Sequence, residues 1–253
     1  DKVDFYDGLK HIMKGYGWTD HLPVVQNGLK DIEHNMLHFL ENHDEQRIAS
    51  PEFVGNPEIG KPAMVVSATI STSPTMIYFG QEVGEPAAEN AGFGSASRTS
   101  IFDYVGVPNH QRWVNDKKFD GGQLKPQEVA LRDFYKRLLN FTINSEALMG
   151  AYREIHFYNK EITENYNHRV LSYVRWSENQ KLIIISNFDA NVHCSFDLKI
   201  PVDIINKWQL NQGAYELNDV LYGQTNSLRI ENGEGHISIV LNPLESFIFE
   251  LKL

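Results

Sequence analysis

Phe39-Leu40-Glu41-Asn42-His43-Asp44-Glu45 brings an apolar run, Met36 to Leu40, to an abrupt end in a cluster of carboxylate, amide and imidazole groups. Buried strands read as short apolar runs, and in α/β folds the polar groups at their C-terminal ends build the active site. A second run follows after a helix-length gap: Thr75-Met76-Ile77-Tyr78-Phe79, then Gly80-Gln81-Glu82. Two apolar strands, each ending in acidic and amide groups, predict neighbouring strands of a barrel whose loops do chemistry.

Helical patterns surround the two strands. Phe5, Leu9, Ile12, Met13 and Tyr16 recur at helical spacing, with Gly15 and Gly17 as stop signals. Residues 18–35 are mixed, with a short helix expected near Leu29. Between the strands, Lys61–Ser71 predicts a helix whose small apolar side chains suit burial between layers, and Pro74 breaks it. Residues 83–125 form a long segment rich in Gly, Asn and Ser, a length that points to function. Pro126 starts a strongly amphipathic helix with Leu131, Phe134, Tyr135, Leu138 and Leu139 on one face. Strand, helix, strand, helix reads as parallel α/β.

The pattern changes near Gly150. Cys194, Phe196, Leu198 and Ile200 alternate with polar residues, as do Phe247, Phe249 and Leu251. Further strands are expected at 152–158, 168–177, 181–188, 226–231 and 236–241. Together they predict an antiparallel sandwich of about eight strands. The fold class is therefore α/β plus all-β, divided into residues 1–149 and 150–253.

The chain has 253 residues and a formal charge of −10, from 33 acidic and 23 basic residues. So acidic a surface disfavours nucleic acid and anionic membranes as partners, and no apolar run is long enough to span a bilayer. A neutral partner such as a sugar fits. The ten histidines show no zinc-site spacing, and no metal ligand is assigned. The lone Cys194 excludes an intrachain disulfide and reads as a small core residue. Asp1 stands first, and positions 1–30 lack a signal-peptide layout. The chain is expected to be the remainder of a longer protein, so localisation is not legible.

The stretches Phe39 to Asp44, Met76 to Glu82 and Arg98-Thr99-Ser100-Ile101-Phe102-Asp103-Tyr104 resemble the α-amylase superfamily, family 13 of the glycoside hydrolases. There, strand seven ends in Asn-His-Asp and strand eight in Gly-(Asp/Gln)-Glu. The resemblance implies the C-terminal portion of a (β/α)8 TIM barrel, holding its last two strands, followed by the family's β-sandwich. It implies retaining chemistry on α-glucosidic bonds, in which one carboxylate is the nucleophile and another the general acid/base. In the family those two lie on strands four and five, which have no counterpart in this chain.

What the resemblance carries over is the third carboxylate. Asp44 matches the aspartate that accepts hydrogen bonds from neighbouring hydroxyls and stabilises the transition state. His43 matches the histidine that binds the same sugar, and Asn42 stands beside it as a substrate-binding residue. Gln81 and Glu82 match the end of strand eight and are assigned structural roles. Read by residue type alone, Asn42 and Asp44 also suit a turn or a helix cap. Arg47 reads as a local ion pair with Glu45 or Glu41, Arg98 as one with Asp103, and His38 as a hydrogen-bonded core residue. Phe102, Tyr104 and Trp113 could stack on sugar rings or anchor the loop.

Two functions follow. The first is a fragment of an α-amylase-like hydrolase acting on an α-glucan or maltooligosaccharide, completed by the missing N-terminal barrel portion and inactive alone. The alternative is a non-catalytic sugar-binding or structural module; within the family, a transglycosylase or branching enzyme shares the same carboxylates. No cofactor is assigned to this chain, and calcium is left open for the parent protein. Residues from about 150 onward are expected to fold independently, and residues 1–125 only when the missing barrel half or another copy covers them.

Overall fold

The computed structural model describes residues 2–87, 98–99 and 106–252. A π-helical turn, Lys2–Tyr6, leads into α1 (Asp7–Met13), followed by α2 (His21–Leu29). The apolar runs give two very short strands, β1 (His38–Phe39) and β2 (Thr75–Met76), paired in parallel with His38 opposite Thr75. They are shorter than the apolar runs, and among the described residues each pairs only with the other, over two residues. α3 (Gly60–Thr69) lies between them in sequence and is buried along most of its length. Gly60 packs closely at its start: a Cβ there would stand 2.8 Å from Ile48 Cδ1, which would have to move.

The long Gly-rich segment contains α4 (Pro108–Val114), which its composition did not announce. α5 (Pro126–Asn144) begins at the expected proline; Glu128 accepts the Lys125 N–H at 3.0 Å. Of the family-like stretch Arg98 to Tyr104, only Arg98 and Thr99 lie within the described residues, so the Arg98–Asp103 pair and the roles of Phe102 and Tyr104 fall outside them.

From Ala151 the chain is dominated by strands: β3 (Ala151–Glu154), then β4 (Val170–Trp176), β5 (Lys181–Asn187), β6 (Cys194–Ile200), β7 (Gly213–Asp219), β8 (Thr225–Glu231), β9 (Glu234–Leu241) and β10 (Ser246–Leu251). Residues 152–158 are not one strand: β3 stops at Glu154, and α6 (His156–Ile162) follows. α7 (Val202–Lys207) and β7 carried no clear period of two.

All eight strands join one antiparallel sheet in the order β3-β4-β5-β10-β7-β8-β9-β6. The sheet folds over itself into the sandwich. One core gathers Val174 and Ile183 from one half with Phe196, Leu198, Ile237 and Ile239 from the other. Cys194 is buried in that core, as its alternation implied.

The other face of β4, β5 and β10 is not solvated. Leu171, Tyr173, Leu182, Ile184 and Ile248 share a second core with Leu9, Met64, Val65, Phe134 and Leu138 from the helices. This explains the unbroken apolar run Leu182 to Ile185, since a strand covered on both faces loses its alternation.

Polar contacts tie the same layers. Tyr173 donates to Thr69 Oγ1 at 2.6 Å, while Thr69 donates to Val65 O. Arg169 donates to Ile12 O at 2.8 Å and Phe188 O at 2.9 Å. Arg175, wholly buried, donates to Ile70 O at 2.7 Å and also to Leu148 O, capping the carbonyl ends of two helical segments. A cation there also complements the helix dipole.

The sandwich and the helices therefore share one continuous interior. The expectation that residues from about 150 fold independently does not match this packing, because removing the helices would strip an apolar face and take from Arg169 and Arg175 their bonds to Ile12 O and Ile70 O. Replacing Arg175 by Met should cost about 2–4 kcal/mol of unfolding free energy, since several charge-assisted bonds to buried carbonyls vanish together. Urea unfolding of the chain checks this; a loss below about 0.5 kcal/mol would show that Arg175 does not join the layers.

Candidate functional site at the strand ends

β1 and β2 run side by side, so their C-terminal ends open on the same edge of the molecule. Beyond β1, Glu41 turns inward and is only 2% exposed. One of its oxygens accepts Arg47 Nη1 at 2.7 Å, and the other accepts the Ile48 N–H at 2.7 Å. The intervening loop is therefore pinned at both ends to one carboxylate. Within it, Asn42 Oδ1 accepts the N–H groups of Asp44 at 2.8 Å and Glu45 at 2.9 Å. This is the turn role that its residue type allows.

Glu45 folds back toward the helices, meeting Lys10 Nζ at 2.9 Å and the Tyr6 hydroxyl at 3.2 Å. The tip left facing solvent carries His43 and Asp44, with side chains 56% and 74% exposed and His43 Nε2 3.3 Å from Asp44 Oδ2.

At the end of β2, Gly80 takes a left-handed conformation, φ 83°, which turns the strand into a short 3-10 helix, Gln81–Val83. Gln81 is buried and donates to the Tyr135 hydroxyl at 3.1 Å, fixing the strand end to α5. The neighbour that gathers backbone N–H groups is Glu85 rather than Glu82. It accepts Asn109 N at 2.9 Å and His110 N at 3.1 Å, at the start of α4. Nothing in the sequence distinguished Glu85 from Glu82. Its burial pushes the carboxyl above the ordinary range, against the pull of those N–H bonds and of Arg47.

Glu82 instead lines an open cleft of about 620 Å³ with Tyr78, Phe79, His110, Trp113 and Arg132. Trp113 packs there on the His110 ring, with Arg132 5.4 Å above its centre.

Arg47 joins the two strand ends. Besides Glu41 it donates to Thr99 Oγ1 from Nε at 2.9 Å and Nη2 at 2.5 Å, and its guanidinium lies 4.5 Å from the Tyr78 ring centre and 4.9 Å from that of Phe79. Tyr78 in turn donates to Thr99 O at 2.9 Å. The expected local ion pair is thus Glu41–Arg47, buried and shared among three segments. Sequence reasoning identified the pair and missed its reach, because Thr99 is 52 residues away.

Beneath the tip, His38 is 2% exposed. Its Nδ1–H donates to Ser67 O at 2.9 Å, and its ring stacks on Phe5 with centroids 4.2 Å apart. Burial pushes its pKa down to about 4. The described residues hold no group of three or more His, Cys, Asp or Glu side chains placed to bind a metal ion.

Such an edge offers acceptors and a donor to hydroxyl groups: the two oxygens of Asp44, the imidazole of His43, and a cleft with aromatic walls next to it. Comparison with known proteins bears on the fold that carries this edge. Residues 162–252 match the family model described as the alpha amylase C-terminal all-beta domain. No curated protein matches the chain. Among solved structures, it superposes on the maltogenic α-amylase AmyB from Thermotoga neapolitana with a TM-score of 0.65 at 16% identity, over 99% of this chain and 50% of that one. The α-amylase from Geobacillus thermoleovorans, complexed with acarbose, gives 0.65 at 16% identity over 98% and 47%. The γ-CGTase from alkalophilic Bacillus clarkii gives 0.61 at 17% over 97% and 31%. The chain thus spans half or less of the length of these structures. It has the fold of the C-terminal part of α-amylase superfamily enzymes: a partial barrel followed by the all-β domain.

The pH dependence of the site's foundation follows from His38. Folding favours its neutral form, so the unfolded chain takes up a proton below pH 6.5 that the folded chain refuses until about pH 4. Its contribution is full above pH 6.5 and is lost as pH falls to about 4, an effect of about 3 kcal/mol. Urea unfolding across that window should show a steeper loss in the parent chain than in His38→Gln; equal slopes would mean that His38 does not titrate this way.

Proposed function

We propose that this chain is the C-terminal part of an α-amylase-like retaining glycoside hydrolase acting on α-glucans or maltooligosaccharides. Asp44 serves as its transition-state-stabilising carboxylate, and His43 and Asn42 help hold the same sugar. The observation that carries the reading is the loop after β1. It is fixed at both ends by Glu41 and leaves His43 and Asp44 its most exposed side chains, on the edge where the end of β2 also opens.

Two acceptor oxygens on one carboxylate match a pair of neighbouring sugar hydroxyls, and those bonds strengthen as positive charge develops on the ring during bond cleavage. The imidazole N–H supplies the complementary donor. Asn42 contributes mainly by shaping the turn, since its side-chain oxygen is already engaged by two backbone N–H groups. The nucleophile and general acid are supplied by a preceding barrel portion, and any calcium belongs with that portion. Transfer to another sugar instead of water would use the same residues.

In the complete protein, Asp44→Asn should lower kcat on soluble starch by about 100- to 1000-fold with the melting temperature unchanged, because a single preorganised contact at the point of charge development is worth about 3–4 kcal/mol. His43→Ala should cost less, since water can replace a hydroxyl donor. The chain alone should turn over neither starch nor an activated α-glucoside. Nearly full activity in Asp44→Asn would refute the assignment and favour the alternative, a sugar-binding or structural module.

A further inference from the structure

We infer that Arg47 is the positioning residue of this site, holding the Asp44 loop in its working place by joining the ends of β1 and β2 through a buried charge pair. The inference rests on the sugar-site reading of Asp44.

Four observations carry it. Arg47 is wholly buried in a place where a hydrophobic residue would ordinarily fill the space. Its donors reach two segments at once, Glu41 after β1 and Thr99 far along the chain, while its flat face lies against Tyr78 and Phe79 at the end of β2. A planar fork with an apolar face can do this, whereas the point charge of Lys cannot. Glu41, its partner, takes Arg47 with one oxygen and Ile48 N with the other, so the loop from Asn42 to Gln46 leaves and returns at a single carboxylate. Finally, His43 and Asp44 are the exposed tip of that loop.

The charges around the pair point the same way. Glu41 feels Arg47 and Glu82, and Arg47 acts in turn on Glu85 and His110; the charge of Glu41 also acts on Tyr6 and Tyr135. Burial raises the Glu41 carboxyl above its ordinary range, and the guanidinium opposes that rise. Without Arg47, Glu41 is a buried carboxyl whose ionisation is strongly disfavoured, and raising the pH forces a lone charge into the loop's anchor. Restoring charge balance by removing both charges should therefore restore the loop, which simple loss of packing would not.

The test uses the complete protein and a maltooligosaccharide, with kcat and KM measured from pH 5 to 8 and each variant compared with the parent at the same pH. Arg47→Met is expected to lower kcat by about 100-fold with KM within about threefold, since a displacement of about 1 Å costs that much. The ratio to the parent should fall further as pH rises. Adding Glu41→Gln to Arg47→Met should flatten the ratio and recover kcat to within about tenfold of the parent. If Arg47→Met does not fold, Arg47→Lys decides: it keeps the charge and loses the fork to Thr99, so a reduced kcat with a pH-independent ratio supports the inference, and parental kcat overturns it.

Parental kcat in Arg47→Met, or a loss that is equal at every pH and persists in the double variant, also overturns it. Asp44→Asn, run alongside, separates the two ideas. If it abolishes turnover while Arg47→Met does not, only the positioning role fails. If Asp44→Asn retains turnover, the reading of the site fails with it.

Discussion

The buried pair of Glu41 and Arg47 is the constraint on which the strand-end geometry depends. A carboxylate and a guanidinium removed from water are tolerable only when they are paired and hydrogen-bonded, and here they are. Glu41 closes a loop between its two oxygens, and Arg47 donates to Glu41 and Thr99 while its face rests on two aromatic rings. Their mutual requirement fixes where β1 ends, how the next five residues turn, and which two side chains are left facing solvent. The chemistry open to the site, hydroxyl recognition by an exposed imidazole and carboxylate, is a consequence of that placement.

A second pair of arginines does comparable work between the layers. Arg169 and Arg175 lie on the sheet and give their hydrogens to backbone carbonyls at the ends of helical segments. Around them, Leu171, Tyr173, Leu182 and Ile184 turn one face of the sheet into the floor of the helical layer. The other face closes on itself. The sandwich thus serves as a platform under the partial barrel, and α3 is held between the platform on one side and β1 on the other. Position at the strand ends is inherited from this stack of layers.

Much of this was legible in the sequence. The apolar runs before Asn42 and Gly80 marked the two parallel strands, the period of two in Cys194 to Ile200 marked β6, and the small residues of Lys61–Ser71 marked a helix buried between layers. What was not legible has physical causes. β4 and β5 are covered on both faces, so their lack of alternation hid which face met the helices. α6 follows β3 directly, and its apolar content passed for a continuing strand. β7 exposes most of its side chains and left little periodic signal. Glu85 and Thr99 act through long-range contacts that local pattern does not encode, and His38 was readable as a core residue because a histidine inside an apolar run must satisfy its ring nitrogens. Asn42, His43 and Asp44 were recognised by motif; the structure adds how the motif is held.

The most direct measurement is a crystal structure of the complete protein with a maltooligosaccharide or an inhibitor that mimics the charged sugar ring. Both oxygens of Asp44 should lie within hydrogen-bond distance of neighbouring hydroxyls on one glucose unit, with the His43 imidazole on the same ring and Arg47 still bound to Glu41. A sugar seated elsewhere, with Asp44 facing only water, would contradict the assignment of the strand ends as the site.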